Sequence, residues 1–203
     1  MLIDLPSPIS DNEISLLGCM ATRRSCRKFS DQSIKAGQLS QLLWSAQGLT
    51  EPDKRTAPSA GAHYPMQVFV AAGQVTDLDA GGYRYLPRSH QLESLVASDL
   101  RERLCHAALD QQPWVAEAAL TLLLAADIEM MTHHFLKQPP SGKRGERYVY
   151  LESGAIAQNV QLLAHGLQLA AVLVGGFNDQ AVRGIFELPD SLQPTAMICI
   201  GSR

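Results

Sequence analysis

The feature that most constrains the fold is an almost unbroken apolar run at residues 119–126, Ala-Leu-Thr-Leu-Leu-Leu-Ala-Ala. A strand with one solvent-facing side alternates apolar and polar residues, whereas a strand covered on both faces can be apolar throughout. The run is also far shorter than the roughly 20 residues that a membrane-spanning helix needs. We therefore predict a central strand with a layer of structure on each face, and no membrane association.

The remaining apolar patterns predict further strands and the helices that cover them. The sequence predicts strands at 67–72, 83–86, 91–96, 170–174 and 195–200, and helices at 12–20, 33–47, 99–109, 128–135, 146–169 and 179–186. The turn between the second and third of these strands indicates a hairpin. With 203 residues, 46% of them apolar, the chain can build one sizeable core, so we predict a single domain over residues 1–203.

The longest helical pattern, at 146–169, has a largely apolar side. That side consists of Tyr148, Leu151, Ala155, Asn159, Leu162 and Leu163. A stripe with this spacing is typical of a helix face that packs on a core. We therefore expect this face to be buried, and the amides of Gln158 and Asn159 to be satisfied core amides rather than catalytic groups.

The net charge and the cysteines exclude several classes of protein. A formal net charge of −3 and an isoelectric point near 6.0 argue against a general nucleic-acid-binding protein, which needs a basic surface. Four scattered cysteines without a Cys-x-x-Cys pair are typical of buried, reduced thiols. The N-terminus does not resemble a signal peptide, so we expect a cytoplasmic protein.

One local concentration of positive charge lies at residues 22–28, Thr-Arg-Arg-Ser-Cys-Arg-Lys. Guanidinium groups make paired, charge-assisted hydrogen bonds to phosphate oxygens, and a serine hydroxyl can add another. A solvated helix end is the alternative, because cations are also favoured in the last turn of a helix. From this stretch alone, both interpretations stay open.

Two segments of small residues can let a ligand approach the backbone closely. The first is residues 55–65, Arg-Thr-Ala-Pro-Ser-Ala-Gly-Ala-His-Tyr-Pro, and the second is the Gly-Gly pair after the predicted strand 170–174. Glycine has no Cβ to keep a flat ligand away, although ordinary tight connections use the same residues. The chain contains no G-x-G-x-x-G, G-x-x-x-x-G-K-[ST] or G-x-S-x-G motif, which argues against a Rossmann site, a P-loop and an α/β-hydrolase nucleophile.

The adjacent His133 and His134 are a weaker candidate for a metal site. Neighbouring residues on a helix point in different directions, so these two side chains do not face one ion easily. We therefore interpret them as surface or packing residues and predict no metal. The polar segment at 137–145, with its prolines, glycines and cations, is the best candidate for a mobile lid.

Taken together, four segments resemble the nitroreductase family of flavin-dependent oxidoreductases, in particular its SagB-type branch. Residues 23–29 resemble the family's opening Arg-x-Ser-x-Arg/Lys-x-Phe, and residues 39–48 with 55–65 closely resemble the branch's LLWAAQG and RTAPSAGALYP segments. Residues 152–159 resemble its long helix, and residues 174–177 with the terminal Ile200 and Gly201 resemble its end. The resemblance covers nearly the whole chain, and its Pro-Ser-Ala-Gly segment is the most specific part.

The resemblance implies an α+β fold in which a central, mostly antiparallel sheet lies between helices, and a homodimer with FMN at the subunit interface. The residues that match the family's contacts with the phosphate, ribityl chain and pyrimidine edge are Arg23, Arg24, Ser25 and Arg27. The loop that reaches the flavin from the partner subunit is matched by Pro58, Ser59, Ala60, Gly61 and His63. The segment over the ring near N5 is matched by Val174, Gly175 and Gly176. Two further matches are an amide near the flavin, Gln112, and a basic C-terminal residue at the phosphate, Arg203.

The activity that this resemblance implies is that of a ping-pong oxidoreductase. NADH or NADPH gives a hydride to flavin N5 and leaves, and an electron-poor small molecule, such as a nitroaromatic or a quinone, then uses the same open face. A cation near N1 and O2 favours the reduced flavin, and Arg27 is the candidate. No catalytic side chain is required, because the flavin does the chemistry.

Alternative functions stay open. Within the family, the chain could be a SagB-type dehydrogenase that oxidises an azoline-like ring, or a member that consumes its own FMN. Outside the enzymes, it could be a flavin-binding protein without turnover, whose flavin NAD(P)H does not bleach. A nucleic-acid contact by residues 23–28 is a further alternative, which predicts salt-sensitive binding and a colourless protein.

Overall fold

The computed structural model places one large and one small β-sheet among helices, and it describes residues 1–9, 15–110, 112–139 and 142–203. Its strands are β1 (Leu2–Asp4), β2 (Leu49–Glu51), β3 (Lys54–Arg55), β4 (Met66–Ala72), β5 (Gly81–Leu86), β6 (Gln91–Val96), β7 (Leu120–Ala126), β8 (Leu169–Val174) and β9 (Gln193–Ser202). Its helices are α1 (Leu16–Thr22), α2 (Ala36–Gln47), α3 (Arg101–Ala107), α4 (Trp114–Glu117), α5 (Ile128–His134), α6 (Arg144–Gly166) and α7 (Asp179–Ile185). The large sheet has seven strands in the order β1-β6-β5-β4-β7-β9-β8, and its neighbouring strands pair antiparallel.

The apolar run is the strand β7, which lies between β4 and β9 and is buried along its whole length. Leu120, Leu122 and Leu124 point into a core cluster shared with α2 and α6. Leu123 and Ala125 point into a second cluster, on the other face, shared with α3 and α7. The predicted central strand with both faces covered is confirmed, and so is the α+β fold with a mostly antiparallel sheet between helices.

Several short elements were not among the predicted ones. The strand β1 pairs with β6, β2 pairs with β3 in a separate ribbon, and α4 is a single helical turn. Such short segments carry too few residues for a periodic pattern. The helix α1 begins after Ser15, whose hydroxyl accepts a hydrogen bond from the Gly18 N–H, and the predicted start at residue 12 lies outside the described residues.

The long helix α6 turns a different face to the core from the one we predicted. Its core-facing apolar residues are Val149, Ile156, Ala157, Val160 and Ala164. On the predicted face, Leu151 is 65% exposed and Leu162 and Leu163 are half-buried. The helix therefore has two apolar faces, and the one with smaller side chains packs against the sheet because it permits a closer approach.

The two adjacent amides of α6 have different environments. Asn159 donates from Nδ2 to the backbone oxygens of Ser45 and Thr56, at 3.3 and 3.2 Å, and is a satisfied amide as predicted. Gln158 is exposed, so its prediction as a core residue is wrong. Among the described residues, no helix is long and apolar enough to cross a membrane.

Gly145 sets the approach of α6 to α5, because a Cβ at this position would overlap the backbone of Met131 and Thr132. We expect Gly145→Ala to lower the free energy of unfolding by about 2 kcal/mol, since the backbone cannot yield as a side chain can. Urea unfolding measures this loss. Gly184→Ala is the control, because a Cβ there meets open space; it should be neutral or slightly stabilising. Equal stability of Gly145→Ala and the unaltered protein would contradict this packing.

Candidate functional site

A cluster of cations lies where α6 ends. Arg23 donates from Nη1 to Oε1 of Gln161 at 3.4 Å, and Arg203 contacts Nδ1 of His165 through Nη2. The other ring nitrogen of His165 lies 2.7 Å from the Thr22 hydroxyl. The structure therefore brings the first and the last of the predicted arginines to one place, together with a histidine that the sequence did not single out.

The electrostatics of this cation cluster favour an anion. Burial and, after it, the charges of Arg203, Arg23 and Arg24 hold the pKa of His165 below its usual range. Of these causes, the arginine charges favour a negative ligand, whereas burial does not. Arg24 is exposed and donates to the backbone oxygens of Ala21 and Arg23, so its guanidinium lies at the surface of the cluster.

The strand β8 is an edge of the large sheet and connects the cation cluster to the Gly-Gly pair. Arg203 donates from Nε to the backbone oxygen of Leu169, at the start of β8. The Cys26 N–H donates to the Ala171 oxygen at 3.0 Å, which holds the segment that contains the exposed Ser25 beside the strand. The Gly-Gly pair follows the opposite end of β8, about 20 Å away at 3.3 Å per residue. The edge of the sheet thus carries an elongated candidate site.

The glycine end of this site is open and polar. Gln112 donates from Nε2 to the backbone oxygens of Leu109 and Gly176, at 2.6 and 3.2 Å. A Cβ placed on Gly175 meets nothing within 4 Å, and the preceding Val174 is buried. The structure therefore brings the predicted amide to the predicted glycines and leaves the backbone at residue 175 accessible.

Arg27 lies apart from the cation cluster. Its guanidinium is 5.4 Å from the ring centre of Trp114, on α4. The Trp114 Nε1 is buried and has no hydrogen-bond partner within the described parts of the chain. The arginines of the 22–28 segment therefore serve two places, one at the end of α6 and one beside α4.

The loop at 58–64 has a strained backbone. Gly61, Ala62 and Tyr64 have φ values of 63°, 55° and 50°, in the left-handed region that residues with a Cβ disfavour. Such strain persists where the surroundings enforce it, and it is concentrated at functional sites. Here the Ser59 hydroxyl accepts a hydrogen bond from the Tyr64 N–H at 2.8 Å, which closes the turn.

Aromatic residues hold the same loop to α5. Nε2 of His63 lies 2.8 Å from Nε2 of His134, and the two ring centres are 3.8 Å apart. The Phe135 ring packs edge-on against both. His134 is thus a packing residue, as predicted, and the described residues contain no group of three or more side chains that could hold a metal ion.

The loop and the cation cluster lie at different ends of α6. Pro58, Ser59 and Ala60 line a cavity of about 280 Å³. The other side of this cavity is formed by Tyr148 and Glu152 of α6. Glu152 and His165 are separated by about 20 Å along the helix, at 1.5 Å per residue. The structure of this chain therefore does not bring the loop to the cations.

The predicted lid is described only in part, because residues 140 and 141 lie outside the described ranges. Its last two residues belong to the first turn of α6. Arg144 donates from Nε to the backbone oxygen of Pro139 at 2.8 Å, which ties the two described parts of the segment together. The mobility of this segment stays a prediction.

Three residues of the site were missed at the level of sequence. They are Trp114 beside Arg27, Glu152 beside the loop, and His165 between the arginines. Trp114 had no motif to mark it, and Glu152 was part of the 152–159 segment but was given no role. His165 lies near the end of the predicted helix 146–169, just before the predicted strand 170–174 that leads to the Gly-Gly pair. This position was the one sequence feature that could have pointed to it.

Comparisons with known proteins establish the family. The model of the nitroreductase family matches residues 20–202. The chain belongs to the nitroreductase family. A curated protein of Methanocaldococcus jannaschii, provisionally named a nitroreductase, is 34% identical over 192 residues, which cover 94% of this chain and 92% of the relative.

Solved structures of nitroreductase relatives share the fold. A provisionally named nitroreductase of Ralstonia eutropha has a TM-score of 0.82 at 31% identity, over 99% of this chain and 89% of its own. A chain of the Escherichia coli microcin synthetase complex McbBCD has a TM-score of 0.71 at 22% identity, over 98% of this chain and 76% of its own. This second similarity shows the fold alone. Membership of this family indicates that the protein is an oxidoreductase. The family generally uses a flavin cofactor.

The pKa of His165 reports directly on the cation cluster. We expect Arg203→Ala to raise this pKa towards its usual value, because the substitution removes a neighbouring positive charge. An NMR titration of the imidazole measures the shift. Arg183→Ala, which removes a cation paired with Asp190 elsewhere, is the control and should leave the His165 pKa unchanged. An unchanged pKa in Arg203→Ala would show that the two side chains are not in contact.

Proposed function

We propose that this nitroreductase is an FMN-dependent oxidoreductase that takes a hydride from NADH or NADPH and reduces an electron-poor small molecule, such as a nitroaromatic or a quinone. The observation that carries the proposal is that the candidate site has two separate parts along α6, with cations near His165 and the loop near Glu152. A cation cluster and an open Gly-Gly pair lie along one sheet edge, and a strained loop lies about 20 Å away. Together they supply what a phosphorylated flavin needs at its two ends.

The residues present fit FMN. The guanidinium groups of Arg23, Arg24 and Arg203 suit a phosphate, with which they can make charge-assisted hydrogen bonds. Burial first, and then the charges of Arg203, Arg23 and Arg24, lower the pKa of His165, so the arginines contribute only part of that shift. Ser25 adds a hydroxyl beside β8, and Arg27 adds a cation nearer the α4 end, where a pyrimidine edge can be bound.

At the other end of this sheet edge, the backbone faces the ring. The N–H of Gly175 can donate to the flavin, because no side chain stands in the way. Gln112 holds the next residue in place by donating from Nε2 to the Gly176 backbone oxygen. When bound, FMN supplies the two-electron redox chemistry, so the chain's own residues bind, orient and shield the reacting groups. No catalytic side chain is assigned.

A homodimer supplies the second half of the site. Two helices present exposed apolar side chains, from α1 Leu16, Leu17 and Met20, and from α6 Tyr150 and Leu151. Exposed large apolar side chains on two helices are typical of surfaces that pack against a partner. A two-fold axis makes such an interface self-complementary, so the loop containing Pro58, Ser59, Ala60, Gly61 and His63 of each protomer can reach the sheet edge of its partner.

The cellular setting is part of the proposal. The four cysteines are free thiols, as in proteins of reducing compartments. We therefore place the enzyme in the cytoplasm, where NADH and NADPH are available.

The redox cycle is tested by the visible spectrum of the FMN-loaded protein under anaerobic conditions. We expect flavin absorbance that NADH or NADPH bleaches and that a quinone or nitroaromatic restores. The control is free FMN at the same concentration with the same reductant. Flavin that binds but resists both nicotinamides would contradict the reductase assignment.

The binding site is tested by substitution of the arginines. We expect Arg23→Ala with Arg27→Ala to weaken FMN binding by at least about a hundredfold, since charge-assisted hydrogen bonds contribute about 1.5–3 kcal/mol each. We also expect the double variant to dissociate more readily, because the cofactor bridges the subunits. Fluorescence titration and light scattering measure the two effects. Arg103→Ala, an exposed cation of α3, is the matched control. A double variant that stays yellow and dimeric would contradict the assignment.

A SagB-type dehydrogenase that oxidises an azoline-like ring is the second candidate. The fold similarity to a chain of the microcin synthetase complex and the Pro-Ser-Ala-Gly segment favour it. In such a dehydrogenase, a ring-containing peptide instead of a nicotinamide reduces the flavin. Anaerobic bleaching by an azoline peptide, with no bleaching by NADH or NADPH, would select this candidate over the first.

A further inference from the structure

His165 connects the C-terminal end of α6 to two distant segments of the chain. It lies in the last turn of the helix, and its Nε2 is 2.7 Å from the hydroxyl of Thr22, at the end of α1. Its Nδ1 contacts Nη2 of Arg203, which directly follows β9. One imidazole ring therefore joins three parts of the cation cluster.

The directions of these hydrogen bonds determine which nitrogen of His165 carries a proton. The Thr22 hydroxyl donates its single hydrogen to the backbone oxygen of Gly18 at 2.7 Å, so it can only accept from the imidazole. The guanidinium of Arg203 has donors and no acceptor, so Nδ1 has to present its lone pair. His165 is therefore a neutral ring with its proton on Nε2.

The electrostatic surroundings of the ring favour the same neutral form. Burial, followed by the charges of Arg203, Arg23 and Arg24, lowers the pKa of His165. The assignment itself does not depend on this shift, because it follows from the donors and acceptors that the ring contacts.

Arg203 is held at two of its nitrogen atoms. Its Nε donates to the backbone oxygen of Leu169 at 3.2 Å, in addition to the contact of Nη2 with His165. Within the described parts of the chain, Nη1 has no hydrogen-bond partner. Because a guanidinium is a rigid planar fork, the two contacts also fix the direction in which Nη1 points.

Gln161, one turn before His165, holds Arg23 in a similar way. It is buried, and its Nε2 donates to the backbone oxygen of Ala157 at 3.3 Å. Its Oε1 is the atom left to accept, and Arg23 donates to it from Nη1 at 3.4 Å. Residues four apart lie on the same face of a helix, so α6 presents two neighbouring acceptors to two arginines.

These two arginines keep their charge available for a ligand. The ion pairs formed among the described residues involve neither Arg23 nor Arg203. A free arginine side chain loses conformational freedom when it binds a ligand, and this loss weakens binding. A side chain that is already held in the binding direction avoids part of that loss.

We propose that His165 is a positioning residue whose neutral imidazole, with its proton on Nε2, orients the guanidinium of Arg203 so that the remaining N–H groups bind the phosphate of the flavin. The proposal rests on the proposed function, in which the cation cluster holds FMN. His165 then acts on the cofactor through Arg203 and does not itself contact the phosphate.

The hydrogen-bond arrangement is tested without a cofactor by long-range ¹H–¹⁵N NMR correlations of the full-length protein. At about pH 8, above the usual histidine pKa of about 6.5, we expect the His165 ring to carry its proton on Nε2. A proton on Nδ1 would overturn the inference, because Arg203 could then not donate to that nitrogen.

A double-variant cycle tests whether His165 acts through Arg203. Leucine and asparagine have nearly the same shape, but only asparagine keeps an acceptor near the position of Nδ1. We expect His165→Leu to raise the FMN dissociation constant about tenfold, the scale of one hydrogen bond to a charged group, and His165→Asn to raise it by less than about threefold. In the Arg203→Ala background, His165→Leu should have no further effect.

His106→Leu, the same change at an exposed histidine of α3, is the control and should leave the dissociation constant unchanged. Equal weakening by His165→Leu and His165→Asn, or additive effects of His165→Leu and Arg203→Ala, would overturn the inference and leave the proposed function standing. A proton on Nε2 in a protein that binds no FMN would support the orientation of Arg203 by His165 and contradict the proposed function.

Discussion

The packing of α6 on the large sheet is the interaction on which the rest of the candidate site depends. Small and β-branched side chains, among them Val149, Ile156, Val160 and Ala164, bring the helix close to the sheet. The length of the helix itself separates Glu152, beside the loop, from His165, among the arginines. The packing also leaves a second apolar face of α6 exposed, so the core packing and the proposed interface are two sides of the same helix.

The two halves of the site use different chemistry. At the sheet edge, cations and an open backbone present charge and N–H groups with little strain. In the loop, residues with positive φ are held by a serine hydroxyl and by the contact of two tilted imidazole rings. In the proposed dimer, a charged pocket from one chain and a strained loop from the other would together suit a cofactor that stays bound through many turnovers.

Sequence reasoning succeeded where one segment determines its own environment. The apolar run at 119–126 predicted a strand with two covered faces, and the structure confirms it. The same reasoning chose the wrong face of α6, because periodicity identifies an apolar stripe but cannot choose between two of them. Steric fit against β-strands distant in sequence makes that choice, and it favours the smaller side chains.

Side chains that depend on contacts between distant segments were not predictable. His165 gains its significance from Arg203 at the end of the chain, and Glu152 from a loop nearly a hundred positions earlier. His165 belongs to no motif, Glu152 was noted only as the first residue of the 152–159 segment, and neither residue type is unusual on a helix. A buried acid and a histidine with a shifted pKa become visible only when the three-dimensional neighbours are known.

Native mass spectrometry of the FMN-saturated protein tests the central claim most directly, because it counts chains and cofactors in the same particle. The account predicts a particle of two 22.1 kDa chains with two FMN molecules, and a monomer without FMN when the dimer dissociates. A monomer that retains FMN would show that one chain forms the whole site. A dimer that binds no FMN at saturating cofactor would show that the sheet edge and the loop do not form a flavin site.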